Sequence, residues 1–257
     1  MKKVRLFYSI KSNFNIFVFS LVLCVALFSS CSKDEDIKTN SSSLTTTPTA
    51  LAINDNSSAG VYKGIVVGST GYFQVKVKNG DDSITCKLVF DNISLNLTTT
   101  SLSKWSSRQP IKNAVFSGML NSQSVSLTFS CDSDGSNPVA VIDIPGHTTY
   151  VSIVKEKSNM LVECFEGSYI QHSSSGDVSG IWNFVSYGEN VDGWHVNSLG
   201  RDHAKFTGTI SNSRLIIDTD KLLTIGKDLL YFNNNLLSGT AVSCIGETIN
   251  VTGTRVW

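Results

Sequence analysis

The chain has 257 residues, with 21 Lys and Arg against 21 Asp and Glu, and only 16% of its residues are charged. That length supports one sizeable core or two small ones. The four basic residues of the first thirty, Lys2, Lys3, Arg5 and Lys11, leave 17 basic against 21 acidic side chains in the rest, which argues against nucleic acid as a partner because a polyphosphate wants a cationic surface.

The N-terminus has three zones. After the basic start, Ile16 to Phe28 is an apolar run broken only by Ser20, and small Ser29 and Ser30 precede Cys31. This is the layout of a secretory signal peptide over residues 1–30. The run is shorter than the roughly 20 apolar residues that a membrane-spanning helix needs. Leu27-Phe28-Ser29-Ser30-Cys31 resembles a bacterial lipoprotein processing site. The resemblance implies that Cys31 becomes the lipidated first residue of the mature chain, anchored by acyl chains whose buried methylenes contribute about 0.8 kcal/mol each. Ser32-Lys33-Asp34-Glu35-Asp36 resembles the export signal of Bacteroidota surface lipoproteins. That implies an outer-membrane lipoprotein on the cell surface, directed there by Lys33, Asp34 and Glu35. The alternative is a solvated charge cluster on a protein of the periplasmic face. Residues 31–57, rich in Ser, Thr, Asn and Asp with Pro48, read as a flexible tether.

From Gly60 the hydrophobic period is two. Phe73, Val75 and Val77 alternate with polar residues up to the hairpin signal Asn79-Gly80, and Ile84 to Phe90 returns. Further strands are expected at Ile93–Leu97, Val125–Phe129, Val139–Ile144, Tyr150–Val154, around Trp182 and Phe184, at Leu215–Ile217, Leu236–Val242 and Ile249–Val256. No window shows helical periodicity after the signal. Residues 58–257 are therefore expected to form an all-β domain, an antiparallel meander barrel or a large sandwich.

A weak repeat relates the halves at about 60–157 and 160–257. Phe116-Ser117-Gly118 matches Phe206-Thr207-Gly208, Gly146-His147-Thr148 with Val151 matches Gly246-Glu247-Thr248 with Val251, and Gly60-Val61-Tyr62 matches Gly167-Ser168-Tyr169. The joint Lys155-Glu156-Lys157-Ser158-Asn159 is short and polar rather than a flexible linker. One continuous unit with pseudo-twofold character is the expectation.

Cys86, Cys131, Cys164 and Cys244 remain after the signal and lipid positions. An extracytoplasmic address permits disulfides in any of three pairings, whereas the alternation around Cys86 and Cys131 makes them inward-facing small hydrophobes. The four histidines lack metal-site spacing and are expected on surface loops, so no metal and no cofactor is expected. Asp132-Ser133-Asp134-Gly135 reads as a plain turn, and the pairs Glu163/Glu166 and Asp218/Asp220 as solvated strand ends. No catalytic set is visible. Asp82-Ser83-Ile84 resembles the Asp-Ser/Thr-aliphatic acceptor of Bacteroidota protein O-glycosylation, which implies Ser83 as a modified residue.

Two stretches read as irregular connectors. Thr100–Asn113 carries Trp105, Arg108 and Pro110, and Ser186–Ala204 carries Trp194, His195, Arg201, Asp202 and His203, of which Trp105, Arg108, Trp194, Arg201 and Asp202 are singled out. Long loops in compact domains are usually functional, and indoles offer flat apolar faces with one donor. These five residues are the candidate ligand site, with both indoles expected at one mouth or, alternatively, as plugs of the core. The functional expectation is a membrane-anchored surface module binding a glycan or other small nutrient. A surface hydrolase and a structural or adhesive component are the alternatives.

Cys31→Ala is expected to release the protein into the soluble fraction. Retention of that variant on membranes after a carbonate wash would contradict lipid anchoring.

Overall fold

The computed structural model describes residues 44–218, 229–243 and 245–257. The signal segment, Cys31, Lys33, Asp34, Glu35, Asp220 and Cys244 lie outside the described residues.

Among the described residues sixteen strands form, each antiparallel to the strands it pairs with. The first eight are β1 (Gly60–Val67), β2 (Thr70–Val77), β3 (Ile84–Phe90), β4 (Ile93–Leu97), β5 (Ile111–Leu120), β6 (Gln123–Cys131), β7 (Val139–Asp143) and β8 (Tyr150–Glu156). β8 returns to pair with β1, from Val61 opposite Glu156 to Val67 opposite Tyr150. β4 meets β5 through a two-bond bridge between Thr98 and Ser117 (3.0 and 2.8 Å). The remaining junction, β7 to β8, has no ladder among the described residues and is joined by the Thr149 hydroxyl donating to the Ile142 carbonyl. The second eight are β9 (Val162–His172), β10 (Val178–Tyr187), β11 (Asn190–Asn197), β12 (His203–Ser211), β13 (Arg214–Asp218), β14 (Leu229–Asn233), β15 (Leu236–Val242) and β16 (Thr248–Arg255). They close fully, with β16 pairing β9. The all-β meander barrel is thus the architecture found. Each half runs its own eight-strand circuit, rather than one sheet passing through both.

Alternation decides what fills each circuit. The first is packed solid by Tyr62, Phe73, Leu88, Phe116, Leu127, Phe129 and their neighbours. Cys86 and Cys131 are buried free thiols within it, as the small-hydrophobe reading expected, and burial pushes Cys86 up to about 12. The second is filled by an aromatic stack in which Phe165 lies 4.7 Å from Phe184, with Trp182, Phe206 and Phe232 around them.

A third core lies between the barrels. Every residue of β1 is buried, on both faces. Its outer face, Ile65 and Val67, packs with Val162, Cys164, Val185 and Val196 of the second barrel. The two barrels run in step: Lys63 Nζ donates to the Val162 carbonyl (3.1 Å), Cys164 Sγ meets the Gly64 carbonyl (3.6 Å), and Asn183 Nδ2 donates to the Val66 carbonyl (2.9 Å). Within this core Lys63 and Glu156 form a fully buried ion pair. Glu156 also accepts from Thr49 N and Oγ1 (2.7 Å each) and from Val162 N (3.2 Å). Desolvation pushes its carboxyl up, but the Lys63 ammonium and the Thr49 donors outweigh that and hold it below its ordinary range.

Those contacts revise the tether reading of residues 31–57. Residues 44–57 pack on the fold: Ala52–Asn54 form a 3-10 turn, Asn54 and Ser57 are buried, and Asn79 holds Leu51 N (3.0 Å) and the Thr49 carbonyl (2.9 Å) with its amide. Side-chain hydrogen bonds to the strand ends supply the docking energy that the polar composition hid.

Each circuit is plugged by a cation from its last strand. Lys155 of β8 points into the first barrel and donates to the carbonyls of Asn54 (2.7 Å), Asp134 (3.1 Å) and Ser57. Arg255 of β16 points into the second, pairs with Glu163 (2.9 Å) and donates to the Thr45 carbonyl.

Removing one member of the buried pair leaves the other charge unpaired. Glu156→Leu should lower unfolding free energy by about 3–5 kcal/mol. The double variant Lys63→Met/Glu156→Leu should recover part of that loss in urea denaturation.

Candidate functional site

The site is built at the end of the second barrel opposite Arg255. From Glu163 to Gln171 along β9 is eight residues, or about 26 Å at strand rise. Here the interior is not filled. A cup of about 50 Å³ opens, walled by Trp182, Phe206, Ile217, Leu230, Ile249 and Val251 and rimmed by Tyr169, Gln171, His195 and Asp202.

His195 is the unusual member. It sits on β11, where Val191, Gly193 and His195 face inward while Asp192, Trp194 and Val196 face the first barrel. Its side chain is buried, at 3% exposure, and neither ring nitrogen has a hydrogen-bond partner. Burial disfavours the charged imidazolium and lowers its pKa. The Asp202 carboxylate opposes that shift and His203 adds to it. The Tyr169 ring stands 6.1 Å from His195, edge to face. Burial and then Asp202 push its hydroxyl up to about 12.

The backbone explains the space. Gly193 opposes Phe206, and a Cβ there would lie 2.5 Å from the ring, so the absent side chain lets Phe206 lean across the barrel. Trp182 spends its Nε1–H on the Thr252 carbonyl (3.0 Å) and shows the cup only its apolar ring. Asp202 is fixed by a tight turn in which the Asn197 side chain accepts from Arg201 N (3.0 Å) and Asp202 N (3.3 Å).

The five residues expected to form one site are dispersed. Asp202 alone rims the cup, while Arg201 is exposed on the same turn and does not line it. Trp194 is on a strand, not in a connector: its ring stacks on Tyr150 at 5.1 Å between the barrels, and its Nε1–H goes to the Val151 carbonyl (3.1 Å). Trp105 lies between β4 and β5, donates to the Gln109 carbonyl (3.1 Å) and packs on the first core. Arg108, in that loop, is exposed. Both indoles are part-buried and sit on different elements, Trp105 against the first core and Trp194 between the barrels.

The remaining candidates fall as follows. Asp132–Gly135 forms a turn closed by Gly135 N to the Asp132 carbonyl (2.9 Å). Glu163 and Glu166, an odd number of residues apart, project to opposite faces of β9 and do not converge. Ser83 is half-buried between β2 and β3, with its N–H on the Asp81 carboxylate (2.9 Å). Of the histidines expected on surface loops, His172 is an exposed strand end held by Asp177 (3.0 Å), and His147 packs edge-on against Phe90 (4.9 Å). His203 stacks on Tyr150 (4.3 Å), and His195 is wholly interior. Sequence reading named His195 only as part of an irregular connector and gave it no ligand role, and it did not identify Tyr169, Gln171 or Trp182 as site residues. The only available signal was the alternation of Val191, Gly193 and His195, masked because the other face of the strand is also buried.

No family model matches the chain, and neither a curated protein nor a solved structure shows significant similarity to it.

The lowered His195 pKa means that the unfolded chain binds the extra proton first as pH falls below about 6.5. Stability contributed by the neutral imidazole is full above that value and drains on acidification until the native group itself protonates. Melting temperature should therefore fall between about pH 7.5 and about pH 5.5, and His195→Phe should flatten that decline.

Proposed function

We propose that the chain is a membrane-anchored extracytoplasmic lipoprotein serving as a binding module, with its ligand seated in the mouth of the second barrel. The observation that carries the binding reading is His195, a buried imidazole with two unsatisfied nitrogens in an otherwise apolar cup. Leaving a buried polar group unpaired costs about 1–3 kcal/mol. A bound group that supplies the missing hydrogen bond recovers that energy while the surrounding rings contribute burial, which is the usual composition of a small-molecule site. The anchoring part rests on the sequence around Cys31 and on Lys33, Asp34 and Glu35.

The geometry narrows the nutrient class. A glycan platform needs indoles open to solvent, and Trp105 and Trp194 are both packed and both spend their donors on backbone carbonyls. The cup of about 50 Å³ is smaller than the roughly 150 Å³ cavity that accepts a benzene ring, so it takes the end of a small ligand rather than a sugar ring. Hydrolysis would ask His195 to be held by a carboxylate or to hold a nucleophile, and neither nitrogen has such a partner.

A fragment screen by nuclear magnetic resonance tests the reading. Binding fragments should perturb Tyr169, Trp182 and His195 together, and His195→Phe should weaken them. Perturbations clustering around Trp105 or Arg108 instead would move the site to the first barrel and overturn this proposal.

A further inference from the structure

We infer that the cup selects the ammonium end of a small organic cation. This rests on the cup being the binding site, and adds the charge and shape of what enters it.

Three observations converge. First, the described lining holds one charged side chain, the Asp202 carboxylate on the rim, and no Lys or Arg. An anionic ligand would lie against that carboxylate with no cationic side chain of the described lining to offset it, whereas a cation is drawn to it. Second, the rings of Tyr169, Trp182 and Phe206 line the same small space. Aromatic faces carry negative quadrupole potential and attract an ammonium group, by more once water is excluded. Third, His195 is buried among them with both nitrogens free. A neutral imidazole keeps one nitrogen as a lone-pair acceptor. An ammonium N–H is the donor that this nitrogen lacks; the other ring nitrogen carries its own N–H, so the choice of cation over anion rests on Asp202 and the aromatic faces.

Size agrees with charge. About 50 Å³ holds one or two water-sized groups, so an ammonium with a short alkyl stem fills the cup while a longer body extends past Asp202 into solvent. Trp182 keeps its own donor on the Thr252 carbonyl and so does not compete for the acceptor nitrogen. The Asn197 turn fixes the Asp202 backbone at the rim before any ligand arrives, which reduces the entropy lost on binding.

The test uses three probes of matched length, n-butylammonium, 1-butanol and butyrate, titrated at about pH 7.5 into the folded protein and read at His195, Tyr169 and Trp182 by chemical shift. n-Butylammonium should bind roughly tenfold more tightly than 1-butanol, and butyrate should give no response. Asp202→Asn, a substitution of an exposed residue, should erase most of the preference for the cation. His195→Phe should weaken both n-butylammonium and 1-butanol. Equal binding of alcohol and ammonium, or a preference for butyrate, overturns the cation inference while leaving the cup as a site. No response at these residues to any probe overturns both.

Discussion

The Lys63–Glu156 pair is the interaction on which the assembly of this molecule depends. Both side chains leave the first barrel from its closing strands and enter the space between barrels, where water is excluded. Two charges are tolerated there because each is fully engaged. Glu156 accepts from Lys63, from the N-terminal segment at Thr49 and from Val162, and Lys63 also donates to the Val162 carbonyl. Three segments distant in sequence, around Thr49, Lys63 and Glu156–Val162, are therefore referenced to one point. Apolar packing of Ile65, Val67, Val185 and Val196 supplies attraction without direction. The pair supplies the register, because a shift of one residue would strand a buried charge.

The two plugs are alike in position. Lys155 and Arg255 occupy corresponding places on the last strands, downstream of the matched Gly146 and Gly246 turns, whose φ values of 83° and 87° are both left-handed. Each turns inward and satisfies carbonyls of the N-terminal segment. The other matches divide differently. Phe116-Ser117-Gly118 lies on the fifth strand of its circuit and Phe206-Thr207-Gly208 on the fourth of its own, so that resemblance reflects the needs of a crowded strand rather than equivalent position. The circuits also differ at their far ends. The third strand of the first presents Cys86, Leu88 and Phe90 inward, with His147 laid against Phe90, and leaves a closed core. The third strand of the second presents Val191, Gly193 and His195, and leaves a cup.

Strands with one wet face were legible in the sequence, because alternation such as Phe73, Val75 and Val77 survives whenever the other side is polar. Strands buried on both sides were not. β11 reads as an irregular stretch because Trp194 and Val196 face the other barrel while Val191 and His195 face the interior. That loss of contrast hid the site as well as the strand: Asp202 was found from its loop, and His195 was passed over. The docked segment before Gly60 was invisible for the opposite reason. Its attachment uses backbone and hydroxyl groups of Thr45, Thr49 and Asn54, which composition cannot tell from a solvated tether.

The same segment has a mechanical consequence. A pull applied at Leu44 arrives first at Thr45, clamped by Arg255, and then at Thr49 and Ala50, clamped by Glu156. These bonds lie in series along the chain, so they are loaded one after another rather than together, and each rupture relaxes the force before the next. The load enters at the plugged bases of both circuits. Roughly 13 Å of hydrogen-bonded strand, from Glu163 to Gly167 on β9, separates that base from the level of His195. Tension applied at Leu44 is therefore spent in shedding slack, while the geometry around His195 and Asp202 stays unstrained.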